Sequence, residues 1–162
     1  MVAHPWFAPP ILNEFSDGLN VNHSRNIANT DKLAYNCGGY ALGTYSWYNP
    51  VPDDYYNMDY EIDSIEFTDY LYDCVDALLY DFAHRHIRVC DFYTPLNANE
   101  YLFAFRVSTD GDFHFIKRGR NNVWYHKRGQ LSTIEVMTVE ELLSASWCNR
   151  YDSPTVFFAI EY

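Results

Sequence analysis

The sequence predicts an α+β domain, and three observations carry that expectation. Two stretches with helical spacing, one opening at Cys37 and one over about 66–84, precede a run of period-two segments that starts at Tyr101. Short turns containing Gly or Asn join those segments, which sets neighbouring strands antiparallel. No repeat, low-complexity tract or linker divides the 162 residues, so a single domain is expected over 1–162.

Taken in order, residues 1–30 are rich in Pro, Asn and Ser and read as an irregular stretch laid over the core. Asn36 is placed to cap a helix beginning near Cys37 and running through Tyr40-Ala41-Leu42 toward Trp47, with Asn49-Pro50 ending it. Residues 50–64 read as an acidic, Tyr-rich loop. It misses the EF-hand pattern for lack of the central Gly. Phe67, Leu71, Val75, Leu78, Leu79 and Phe82 form the apolar stripe of the second helix, and Asp69, Asp73 and Asp76 its wet side.

Strands are expected at 101–107, 112–116 and 123–126, separated by turns at Thr109-Asp110-Gly111 and Gly119-Arg120-Asn121-Asn122. Thr138 and Glu141 have capping-box spacing and open a short helix reaching Trp147. The apolar run 155–160 reads as a closing strand inside the sheet.

Composition narrows the function classes. A net charge of −11 repels phosphates, so no nucleic-acid partner is expected. No stretch approaches the about 20 apolar residues of a membrane span, and the start Met1-Val2-Ala3-His4-Pro5 lacks the basic and apolar regions of a secretory signal. A cytoplasmic location follows as an expectation, with delivery by a dedicated system as the other route. The chain holds 15 Tyr, many beside Asp, and rings so placed pack on a core while their hydroxyls stay wet. Cys37, Cys74, Cys90 and Cys148 show no C-x-x-C pairing and read as free thiols, the last three as core residues. His84, His86 and Cys90 lack a matched second pair of zinc ligands, so neither metal nor cofactor is expected. Cations at 84–86 suit a helix C-terminus.

Cys37 carries the chemistry. A thiol attacks as its thiolate, and a helix N-terminus or a neighbouring imidazole lowers the cost of forming it. Gly38 and Gly39 leave the backbone bare, which would let a substrate carbonyl approach the Cys37 amide as an oxyanion donor. On the second strand Phe113 and Phe115 point to one side and His114 to the other, free to face the helix. Pairing about the 119–122 turn brings His126 near His114, where it orients the ring. Trp124 shares the His126 face. Each residue has a plainer reading: a buried thiol at a tight contact, a satisfied core histidine, a surface His beside Lys127 and Arg128.

The segment Asn36-Cys37-Gly38-Gly39-Tyr40-Ala41 resembles the helix-opening motif of NlpC-type cysteine peptidases, D-C-S-G followed by an aromatic and a small residue. The order Cys37, His114, His126 also matches that papain-like group: Cys on a helix, His on a following strand, a third polar residue one strand later. Asp112-Phe113-His114-Phe115 and 124–129 look like segments of small phage and bacterial members. Asn36 stands where the motif has Asp, Gly38 where it has Ser, and residues 48–100 are a longer insertion. The resemblance implies a papain-like fold and a peptidase, amidase or deamidase. Its catalytic residues are Cys37, His114 and His126, and Asn36, Gly38, Gly39 and Trp124 lie around the substrate. The substrate expected is a peptide, protein or small amide. The rival is a non-catalytic acidic interaction or inhibitor protein of a phage or mobile element.

Overall fold

Alternating aromatic and aliphatic residues build the central layer. The computed structural model describes residues 2–3, 35–52, 64–129 and 134–162. Two short strands, β1 (Val2–Ala3) and β3 (Leu96–Asn97), pair with each other. Six more form one antiparallel sheet: β2 (Arg88–Cys90), β4 (Glu100–Val107), β5 (Phe113–Arg118), β6 (Trp124–Lys127), β7 (Ile134–Met137) and β8 (Val156–Glu161). Their order is β2-β8-β4-β5-β6-β7. The β4-β5-β6 meander follows the turn chemistry, with Gly111 at φ +85° and Asn122 at φ +64°. Strand β8 is interior, between β2 and β4, as its apolar run requires. Strands β2, β3 and β7 were not anticipated; at two to four residues they are too short for periodicity to register.

Helix α1 (Cys37–Ala41) is shorter than the sequence predicts. Instead of continuing to Trp47, the chain turns at Gly43, which adopts φ +68°, and doubles back. Thr44 and Tyr45 then donate to the Gly39 carbonyl at 3.1 Å, and Tyr48 donates to Asn36 Oδ1 at 3.1 Å. The return of Tyr48 to the helix start competes with helix extension and wins.

Helix α2 (Ser64–Asp81) matches its expected stripe and is followed by a 3-10 turn at Ala83–Arg85. Helix α3 (Val139–Leu142) begins at the Thr138 cap, whose hydroxyl accepts from Glu141 N at 3.1 Å. It stops short of Trp147, because Trp147 pairs with Tyr151 in a tight turn. The Tyr-rich stretch 53–63 and nearly all of the irregular N-terminal segment lie outside the described residues.

The sheet has two cores. On one face Phe103, Phe105, Phe113, Phe115 and Phe158 pack against Tyr70, Leu71, Cys74, Val75 and Leu78 of α2, with Cys37 and Ala41 of α1. On the other, Leu102, Ala104, Ile116, Trp124 and Ala159 pack against Leu142, Trp147 and Tyr151. Two bonds anchor the short α1: Tyr101 OH donates to Ala41 O at 2.7 Å, and Arg85 Nη1 to Leu42 O at 2.6 Å. They add to the packing of α1 on the sheet, which a five-residue helix needs because isolated helices of that length are unstable in water.

Candidate active site

Asn36 fixes the start of α1. Its Oδ1 accepts from Gly39 N at 3.0 Å and from Tyr48 N, while its Nδ2 donates to Tyr48 O at 2.6 Å. These bonds make Asn36 an N-cap and loop fastener, and it also lines the cavity described below. The two glycines serve packing. A Cβ on Gly38 would sit 3.2 Å from the Phe115 ring, and one on Gly39 only 1.9 Å from Ser46 O. The backbone expected to lie bare to substrate is covered by Phe115, Tyr48, Ser46 and Tyr35. Trp124 is fully buried and stacked on Phe92 at 6.0 Å, in the second core and away from the cavity described below. Neither glycine nor Trp124 therefore lines that cavity.

Cys37 lies on the first helical position. Helix α1 packs on the Phe113 and Phe115 side of β5, so His114, one residue out of phase, points to the opposite face of the sheet and does not face the helix. The two residues nonetheless line one cavity. Strand β6 is registered with β5 only at Lys117↔Tyr125 and Arg118↔Trp124, which leaves 113–116 without a registered β6 partner. Into that gap Cys37 brings its sulfur, 4.0 Å from the Phe113 carbonyl oxygen. A cavity of about 210 Å³ is lined there by Asn36, Cys37, Trp47, Asp112, His114 and Tyr151, among others.

The His114 ring is held from two sides. Its Nε2 is 2.8 Å from His126 Nδ1, and Tyr151 stacks on it at 5.1 Å with the ring planes 16° apart. Tyr151 in turn donates to Asp112 Oδ2 at 3.0 Å, which Arg150 also meets at 3.0 Å. The segment supplying Tyr151 is pinned by Arg106, directly across from His114 in the β4–β5 register. Arg106 is buried and donates to Thr155 Oγ1, Tyr151 O, Leu142 O and Ser144 O, with its guanidinium 4.4 Å over the Trp147 ring.

The resting pair is neutral. Burial pushes the Cys37 thiol up to about 12, and Asp112 adds to the rise; the Phe115 and Gly38 backbone and the Lys127 ammonium pull the other way without prevailing. The expectation that the helix start would yield a thiolate is corrected by this: a helix of one and a half turns has a weak dipole, and loss of water outweighs it. Burial, with help from His126 and Arg128, holds His114 well below the usual histidine range. Burial and Arg128 likewise take His126 to about 4. The only Cys37 side-chain hydrogen-bond contact among the described residues is the long one to the Phe113 carbonyl, and none joins it to His114.

Among the described residues no hydrogen bond engages the Cys37 N–H, whereas Gly39 N–H is taken by the cap and Tyr40 N–H by Asn36 O. A second cavity of about 330 Å³ shares Asp112, His114, Gly129 and Tyr151 with the first and adds Arg128, Cys148 and Arg150. A larger hollow near α3, about 610 Å³, touches neither Cys37 nor His114. Tyr151, Asp112, Trp47 and Cys148 were not singled out from sequence as site residues. Only Asp112 gave a signal, sharing the strand parity of His114; Tyr151 and Cys148 come from an aperiodic turn. Cys148 is exposed, not core, and Cys90 is half-buried.

Comparison with known protein families, curated proteins and solved structures returns no match, so the chain's own geometry is what bears on its function. Among the described residues no helix is long and apolar enough to cross a membrane.

Proposed function

We propose that this protein is a papain-like thiol hydrolase acting on an amide bond, a peptidase, amidase or deamidase. Cys37 is its nucleophile, His114 its base, and His126 the residue that positions His114. One observation carries the reading: Cys37 and His114, from separate elements, line one cavity, and His114 commits Nε2 to His126, leaving Nδ1 as the nitrogen free to act.

With its proton on Nε2, donated to His126 Nδ1, His114 presents the Nδ1 lone pair as acceptor. A substrate carbonyl entering past Trp47 displaces the Phe113 contact. The sulfur attacks the carbonyl carbon while Nδ1 takes the thiol proton, so charge separates only as the C–S bond forms. The Cys37 N–H is the oxyanion donor. The imidazolium returns the proton to the leaving amine, the C–N bond breaks, and a thioester remains on Cys37. Water, deprotonated by His114, then releases the acid and restores the thiol. A neutral resting pair suits this sequence, since a buried ion pair would have to be held without solvent.

Two cysteines make the test internal. Burial raises both Cys37 and Cys74 to about 12 and both join the aromatic core, but of the two Cys37 lines the His114 cavity. Site-resolved mass spectrometry with iodoacetamide at neutral pH is expected to label Cys37 at least about tenfold faster than Cys74, with the excess lost in His114→Gln. The same protein mixed with p-nitrophenyl acetate leaves an acetyl group on Cys37 that His114 then clears. Labelling of Cys37 no faster than Cys74, or an excess that His114→Gln leaves intact, refutes the base role. It would leave the acidic binding protein as the reading, with exposed Tyr72 and Tyr80 on α2 as its surface.

A further inference from the structure

The second cavity sets Cys148, which the thiol mechanism does not use, beside His114. One ring nitrogen each of His114 and His126 and the sulfur of Cys148 all lie within 4.8 Å of one another. The facing nitrogens, His114 Nε2 and His126 Nδ1, are 2.8 Å apart. Tetrahedral zinc with bonds of about 2.0–2.3 Å sets its ligand atoms roughly 3.3–3.7 Å apart. The histidine nitrogens need open by only about half an ångström, and the sulfur already lies within 4.8 Å of them.

The three ligands come from β5, β6 and the 147–151 turn, and each is held in place by the fold. The histidines are buried in the sheet. Cys148 and Asn149 both take left-handed backbone, φ +54° and +56°, in a turn closed by the reciprocal Trp147 and Tyr151 bonds of 3.0 Å. Asn tolerates that region, but a cysteine there is uncommon and its sulfur is directed by the turn. Arg128 sets a positive charge near all three ligands, which favours the Cys148 thiolate and opposes a cation, and carboxylates offset it. Arg128 is occupied by Glu135 at 2.9 Å, Arg150 by Asp110 and Asp112, and Glu141 adds a negative field at both His126 and Cys148.

We propose that His114, His126 and Cys148 bind one zinc ion, whose fourth position opens to the 330 Å³ cavity lined by Asp112 and Tyr151. Two imidazoles and one thiolate form a borderline-soft set that prefers zinc to magnesium or calcium. Three protein ligands and an open fourth position are the form of a catalytic rather than a structural zinc site. Cys37 is not a ligand, but zinc on this histidine pair would replace the bond through which His126 positions His114, so the metal-bound form and the thiol-active form exclude one another. Contiguous motifs could not reveal it, because its ligands are scattered along the chain.

Cobalt(II) titration of the full chain reads it directly. The expected result is saturation at one equivalent, with intense four-coordinate d–d bands, a thiolate-to-cobalt charge-transfer band, and displacement by zinc. Cys148→Ser removes an exposed side chain, so folding is kept; it is expected to abolish the charge-transfer band and weaken binding at least about tenfold. Cys37→Ser is expected to leave both unchanged. No saturable band in the parent, a band that survives Cys148→Ser, or one lost in Cys37→Ser overturns the site.

Discussion

The two faces of β5 hold their side chains by different physics. On the helix side, Phe113 and Phe115 join a ring cluster in which Phe103 stacks on Phe158 at 4.9 Å and Phe105 meets Phe115 at 4.8 Å. That face is hydrocarbon, and the close approach of Gly38 to Phe115 seats α1 and its thiol by shape, with the Asn36 cap and the Tyr101 and Arg85 bonds holding its two ends. On the other face, His114 and His126 bond each other, and Arg106 spreads its donors over four acceptors. Direction, not volume, sets the geometry there. The thiol is therefore positioned mainly by packing and the imidazole mainly by hydrogen bonds, and both line one cavity beside the end of the β5–β6 ladder.

That contrast can be broken most sharply from the hydrocarbon side. Phe115→Ala is expected to cost about 3–5 kcal/mol in urea unfolding, because neither Gly38 nor the neighbouring rings can collapse into the void without moving α1. A cost below about 1 kcal/mol would show that shape does not seat the helix.

The polar face is exposed by acid. Both histidines titrate lower in the folded protein than in the unfolded chain, so the unfolded state binds more protons as pH falls below about 6.5. The stability tied to their neutral forms is complete above that pH and is lost on acidification toward about 4 for His126. The slope is at most about 1.4 kcal/mol per pH unit for each ring. The carboxylates held low, Glu100 and Asp110, add a loss of the same sign only at more acid pH. Exposed His86, raised by Glu161, works in the opposite direction. Urea midpoints from pH 7.5 to 5 are expected to fall in the parent and flatten in His126→Gln. Parallel curves would remove His126 from the account.

The smallest effect separates the cap from the core. Asn36→Ala strips the bonds to Gly39 and Tyr48 and is expected to cost about 1–2 kcal/mol by thermal or urea unfolding. Asn36→Asp keeps the acceptor and restores part of that loss.

Much of the fold was legible. The stripe of α2, the β4-β5-β6 meander with its two turns, the Thr138 cap and the interior placement of β8 each follow from spacing and turn residues. The nearness of His114 and His126 followed from strand pairing about 119–122. What misled were inferences about surroundings. Gly38 and Gly39 suggested open backbone, yet they admit Phe115 and Ser46. Trp124 suggested a substrate wall, yet strand parity on a sheet covered on both faces buries it. Strand alternation rightly sent His114 away from Phe113 and Phe115, but the helix went to the phenylalanine side.

Sequence alone determined which residues alternate, where helices are capped and which thiol opens a helix, because those features depend on neighbours within a few positions. Only the tertiary structure decided that Tyr151 stacks on His114, that Cys148 joins two histidines, and that the sulfur at residue 37 is buried as a neutral thiol. Each of these depends on groups far apart in the chain, where solvent exclusion and the packing of separate elements outweigh local preference.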